Sequence, residues 1–145
     1  MITKAVVMSE PGSLSIQPVD LKSPSKEDIV IDINYSGIST GTEKLFYNGK
    51  MPQFPGMGYP LVPGYESTGE VVQAPKDSNL KIGDIVFAPG ADCYSGSVKS
   101  LFGGASQTII SSPNRLIKID STMGCNGALF ALAATARHAI AGFGN

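Results

Sequence analysis

The sequence predicts a mainly β domain, a small barrel or sandwich, closed at its end by one helix. Three observations carry this. Short runs of strand-forming residues recur at close spacing, each bounded by turn residues. Glycine and proline number 17 and 10 among 145 residues, a density that suits tight corners better than helix interiors. Only the stretch from Gly127 to Ala141 changes character, being rich in alanine and free of proline and internal glycine.

Taken in order, Lys4 to Met8 and Ser13 to Val19 are strand-like runs separated by Glu10-Pro11-Gly12, which predicts a hairpin. Asp28 to Tyr35 alternates, with Ile29, Ile31 and Ile33 on one face and Asp28, Val30, Asp32 and Asn34 on the other. Thr42 and Glu43 precede Lys44-Leu45-Phe46-Tyr47, a short helical turn that Thr42 is placed to cap. Thr68 to Gln73 is a further strand, and Lys81-Ile82-Gly83-Asp84 turns into Ile85-Val86-Phe87. Ala105 to Ile110 and Leu116 to Ile119 complete the set. In the last segment Leu129, Leu132, Ala133, Ala136 and Ile140 recur at helical spacing, with Asn126 as the N-cap. The sequence breaks off at Gly142-Phe143-Gly144-Asn145 without a helix stop, so it is expected to be cut from a longer protein.

Composition excludes several functions. The 11 basic and 12 acidic side chains leave a net charge of −1, and no basic block offers itself to nucleic acid or an anionic membrane. No apolar run is long enough to span a bilayer, and Met1 leads into a strand rather than a secretory leader. Cys93 and Cys125 are isolated and read as reduced thiols, which points to the cytoplasm.

Four phrases line up in a telling order. Gly64-Tyr65-Glu66-Ser67-Thr68-Gly69-Glu70-Val71-Val72 resembles the Gly-His-Glu-x-x-Gly-x-Val-x stretch of zinc alcohol dehydrogenases. Gly83-Asp84-Ile85-Val86 matches their next turn and strand, Gly103-Gly104-Ala105-Ser106-Gln107 the entry to a later strand, and Gly127 to Ile140 the helix leading into the cofactor domain. The chain thus resembles the substrate-side domain of the medium-chain dehydrogenase/reductase superfamily. The resemblance implies a GroES-like barrel over residues 1–124 and a junction helix over 125–145. It also implies a Rossmann domain that binds NAD and lies outside this chain, which holds no Gly-x-Gly-x-x-Gly fingerprint.

A closer resemblance rests on Gly41-Thr42-Glu43, Asn48-Gly49-Lys50-Met51-Pro52, the run from Phe54 to Glu66, and Leu101-Phe102-Gly103-Gly104. These look like the branch of the superfamily that handles bacteriochlorophyllides. Membership implies oxidation of a hydroxyethyl side chain to acetyl, with NAD, in bacteriochlorophyll biosynthesis. Two other readings stay open: a zinc-free enoyl or quinone reductase of the same superfamily, and a non-catalytic GroES-like binding module.

The resemblance also locates the site. Zinc members place Cys after a Gly-Val/Ile pair, His after the Gly of Gly-His-Glu, and a late Cys, Asp or Glu. Here those positions hold Ser39, Tyr65 and, near the helix, Ala131. Hydroxyl and phenol are poor zinc ligands beside thiolate and imidazole, and the four-cysteine lobe for structural zinc is missing, so no zinc is expected. An atypical set of Cys93, Glu66 and His138 is the alternative. Without metal, Tyr65 is placed to hydrogen-bond the substrate oxygen, or else is a packed residue at a strand entry. Glu66 is a base or a domain clamp. Ser39 and Thr42 are a hydroxyl relay or helix caps, with capping the default. His138, the only histidine, faces the cofactor side or is structural.

Met51 to Pro63 carries Met51, Phe54, Met57, Tyr59, Leu61 and Val62 without a charge. Such a segment suits core, a subunit contact in a homo-oligomer, or a wall for a broad flat ligand. With Cys93, Tyr94 and Phe102 it is the expected substrate-binding surface. Cys93 by itself reads as a partly buried thiol rather than a nucleophile.

Overall fold

The protein is described by a computed structural model covering residues 1–142. Strand β1 (Ile2–Glu10) pairs antiparallel with β2 (Ser13–Asp20) from Ile2 opposite Asp20 to Glu10 opposite Ser13. This is the expected hairpin, with β1 two residues longer at each end and β2 one residue longer at its C-terminal end. Ala5 and Val7 point into the core, whereas β2 is an edge strand with little burial. Pro18 fits there because an edge position needs no second N–H.

An inner strand of the second sheet, β3 (Ile29–Ser36), is flanked by β5 (Ser67–Gln73) and β8 (Thr108–Ser111). The expected alternation holds only in part. Ile29 and Ile31 are fully buried, but Val30, assigned from its position to the polar face, is buried as well. Its face of the sheet is covered too, so the first half of β3 is apolar on both sides.

The remaining strands are β4 (Leu61–Val62), β6 (Ile85–Ala88), β7 (Lys99–Ser100) and β9 (Ile117–Lys118). Among the described residues they form two sheets, in the orders β2-β1-β4-β7 and β8-β3-β5-β6-β9. The expected strand from Ala105 is regular only from Thr108. Its first part bridges the sheets instead: Val6 N–H donates to Ala105, Gln107 N–H to Lys4, and Ile33 N–H to Gln107. That bridge closes the two sheets into a barrel around Ala5, Val7, Ile29, Ile31, Val71, Val86 and Ile109. The Gly83-Asp84 turn is tied by its own carboxylate, which accepts from Lys81 N–H at 2.9 Å and from Lys118 Nζ at 2.6 Å. The Lys118 bond, foremost, holds Asp84 below the usual carboxylate range.

A short helix, α1 (Thr42–Tyr47), follows β3, and α2 (Phe130–Gly142) ends the described chain. Two local expectations are corrected here. Thr42 makes no capping bond to α1. Asn126 caps nothing either: residues Ser121–Leu129 form 3₁₀ turns capped by Asp120, which accepts from Thr122 N–H. Gly124, at φ 51° and ψ −132°, breaks those turns, so regular α-helix starts at Phe130, whose ring lies 5.9 Å from that of Phe87. No residue of α2 is buried.

Candidate functional site

Two neighbouring residues of α1 meet two neighbouring residues on the way into β5. Thr42 Oγ1 lies 3.4 Å from the Tyr65 phenol oxygen, and Ser39 Oγ donates to Thr42 Oγ1, also at 3.4 Å. The three hydroxyls thus form a line that is partly exposed. Both contacts are long for hydroxyl pairs, as hydrogen bonds at unliganded sites often are. One residue on, Glu43 and Glu66 are both buried, at 8% and 6% exposure. Glu43 Oε2 has no hydrogen-bond partner among the described residues. Burial, and then the nearby Glu66 charge, push the Glu43 carboxyl above its ordinary range, against two backbone hydrogen bonds that pull it down. Glu66 packs on Gly37, where a Cβ would stand 2.6 Å from its Oε2.

Backbone crowding sets the direction of Tyr65. Gly64, at φ +100°, lies so close to the Gly104-Ala105 strand entry that a Cβ on it would sit 2.6 Å from Ala105 N. Gly104 N–H donates to Gly64 O, and Ser67 Oγ donates to Gly104 O at 3.0 Å. The two glycine-bearing phrases of the sequence therefore meet here, and Tyr65 emerges from their junction. Its ring meets Phe102 edge-on, with centroids 5.0 Å apart and planes at 67°.

The other candidates fall elsewhere. Met51, Met57 and Tyr59 pack half-buried on a second small core of Met8, Phe46, Leu61 and Leu101, and the Tyr59 hydroxyl donates to Phe46 O. Phe54 is exposed, and Cys93 and Tyr94 lie inside the main core. Tyr94 donates to Gly103 O at 2.6 Å, and burial pushes the Cys93 thiol up. Ala131 and His138 lie on α2, and His138 is exposed. No three of His, Cys, Asp and Glu among the described residues come together in a way that could hold a metal ion. Cys93, Glu66 and His138 are no exception. Hydroxyls at Ser39 and Tyr65 likewise do not fit zinc.

A cleft of about 510 Å³ opens between the β1–β2 hairpin and the loop after β3. Leu14, Ile16, Ile38, Glu43 and Gly64 are among its lining, whereas Met51, Phe54, Met57 and Tyr59 are not. Sequence reasoning missed Glu43. An acidic residue in a first helical turn reads as a partner for the helix dipole, and only the fold reveals its burial.

Residues 25–132 match the alcohol dehydrogenase GroES-like domain, and the chain belongs to that family. It is 57% identical over 145 residues to the 2-desacetyl-2-hydroxyethyl bacteriochlorophyllide A dehydrogenase of Rhodobacter capsulatus, covering 100% of this chain and 46% of that protein. The protein of the same name from Cereibacter sphaeroides is 53% identical over 146 residues, covering 98% of this chain and 46% of that protein. The chain therefore spans about half the length of these relatives. A short chain alcohol dehydrogenase from Escherichia coli CFT073, solved with NADH, superposes with a TM-score of 0.68 at 18% identity. That match covers 88% of this chain and 42% of the other. Among the described residues no helix is long and apolar enough to cross a membrane.

Proposed function

We propose that this chain is the substrate-side domain of a zinc-independent, NAD-dependent dehydrogenase that oxidises the hydroxyethyl group of a bacteriochlorophyllide to acetyl. The observation that carries this reading is the 53–57% identity, across essentially the whole chain, to two proteins named as dehydrogenases of a hydroxyethyl bacteriochlorophyllide. In this reading residues 1–124 are the barrel and 125–145 the junction to a dinucleotide-binding domain. The enoyl or quinone reductase reading and the binding-module reading have no such observation behind them.

When bound, the nicotinamide supplies the acceptor for hydride from the carbinol carbon. The residues of this chain attend to the oxygen. Tyr65 hydrogen-bonds the substrate oxygen, and Thr42 and Ser39 extend that bond as a hydroxyl line. Hydroxyl protons rotate, so the line passes the alcohol's proton to solvent at the partly exposed Ser39, or brings one back to the ketone in the reverse direction. No step is routed through a metal. Glu66 is kept as a buried carboxylate that positions the Tyr65 segment through its packing on Gly37, and His138 as a residue of the junction helix.

The test uses the whole protein. It is given the hydroxyethyl bacteriochlorophyllide with NAD⁺ in one arm, and a conjugated enone or quinone with NADPH in the other. Acetyl product and NADH in equal amounts, from protein whose metal analysis shows no stoichiometric zinc, is the expected result. Turnover only in the second arm, or one zinc per chain that survives dialysis, would refute the respective part.

A further inference from the structure

Phe102 is the one non-glycine among the described residues with a positive φ, at 72°. A phenylalanine is strained there, and a glycine or asparagine would serve the turn better. The surroundings hold it in place. Ala91 N–H donates to Phe102 O at 2.6 Å, and the next residue, Gly103, donates to Val62 O at 3.0 Å. Gly90 makes that approach feasible, since a Cβ on it would stand 1.9 Å from Phe102 O. Turn chemistry therefore does not call for this side chain. Core packing does not either, because Phe102 is 43% exposed.

What the strained backbone achieves is a position. The ring stands edge-on to Tyr65, at one end of the Ser39–Thr42–Tyr65 hydroxyl line. Its chain neighbour Leu101 is anchored in the small core that also carries Met51, Met57 and Tyr59. An exposed aromatic ring fixed beside a substrate-facing phenol is suited to contact a flat conjugated ligand, because aromatic pairs gain from offset and edge-on geometry beyond simple burial.

We propose that Phe102 is the platform against which the planar ring system of the substrate rests while Tyr65 engages its side-chain oxygen. This rests on the reading of the site as one for a large flat alcohol substrate. The experiment is an absorption titration of the whole protein with hydroxyethyl bacteriochlorophyllide, comparing wild type with F102G, F102L and F102Y, alongside thermal melts and steady-state kinetics. F102G and F102L should weaken macrocycle binding about fivefold to tenfold, the worth of a good aromatic contact. F102Y should bind as wild type does. The melting temperature of F102G should stay level or rise, because strain is relieved, and the loss should fall more on the KM for the macrocycle than on kcat. Unchanged binding in F102G and F102L would overturn the proposal. So would a rise confined to the KM for NAD⁺, which would assign the ring to the nicotinamide. Binding is read without turnover, so the two proposals fail separately. A protein that binds the macrocycle through Phe102 but does not oxidise it sinks the dehydrogenase reading and leaves the platform standing.

Discussion

The hydroxyl of Thr42 lies 3.4 Å from the phenol of Tyr65, joining the first turn of α1 to the segment that enters β5. Neither residue is near the other in sequence, and the Thr42 side chain makes no capping bond to its own helix. The hydroxyl is therefore free for the phenol. In the whole enzyme, Thr42→Val should lower kcat on the order of tenfold, the lower end of what one lost transition-state donor costs. Thr42→Ser should keep most of the activity, because the oxygen remains. Steady-state kinetics with a thermal melt check this; a Thr42→Val variant that loses melting temperature but keeps kcat would reduce Thr42 to a packing residue.

The junction at Gly64 makes a prediction about folding rather than chemistry. Gly64→Ala places a Cβ at φ +100° and within 2.6 Å of Ala105 N, which is backbone and has no rotamer to move. Strain at such a φ alone is worth about 1–3 kcal/mol, and the clash adds to it. Denaturant unfolding of the 145-residue chain should show a clearly lower midpoint than wild type. An equal midpoint would mean that the Gly64–Ala105 approach is looser than described.

Glu43 gives the pH dependence. Its folded-state pKa is raised, chiefly by burial and next by Glu66, so the folded chain binds a proton more tightly than the unfolded chain. The sign follows: Glu43 favours folding in acid, and that contribution is lost as pH rises from the ordinary carboxylate range through the raised value. Gln mimics the neutral acid. Glu43→Gln should therefore melt with wild type in acid and above it at neutral pH, with the gap widening as pH rises. Thermal melts across about pH 4 to 8 read this directly. A gap that is constant with pH, or that narrows, would show that Glu43 is ionised at little cost.

Much of the barrel was legible because its signals are local. The Glu10-Pro11-Gly12 turn, the Ile29-Ile31 alternation and the Gly83-Asp84 corner each need only a few neighbouring residues to be read. The errors share a cause in tertiary context. Val30 is buried because its face of the sheet is covered, and Asn126 loses the cap because it lies inside the 3₁₀ turns of Ser121–Leu129 that precede the α-helix. At the site, the family resemblance pointed to Ser39 and Tyr65, and Ser39 with Thr42 was one expected relay, but the contact of Thr42 with Tyr65 was not expected. That contact depends on how the Gly64 and Gly104 phrases cross, two segments about forty residues apart. Glu43 was out of reach for the same reason. Cys93 and Tyr94, grouped with the substrate surface from their loop position, instead pack in the main core.

On the proposed function, the Tyr65 phenol holds the substrate oxygen as it changes charge. A bond of that kind matters most in the transition state, so its loss appears in kcat rather than KM. The direct measurement is kcat and KM of Tyr65→Phe in the whole enzyme with the hydroxyethyl bacteriochlorophyllide. The predicted result is a fall in kcat on the order of tenfold to a thousandfold with KM within a few-fold of wild type. An unchanged kcat, with only a lower melting temperature, would contradict it and make Tyr65 a packing partner of Phe102.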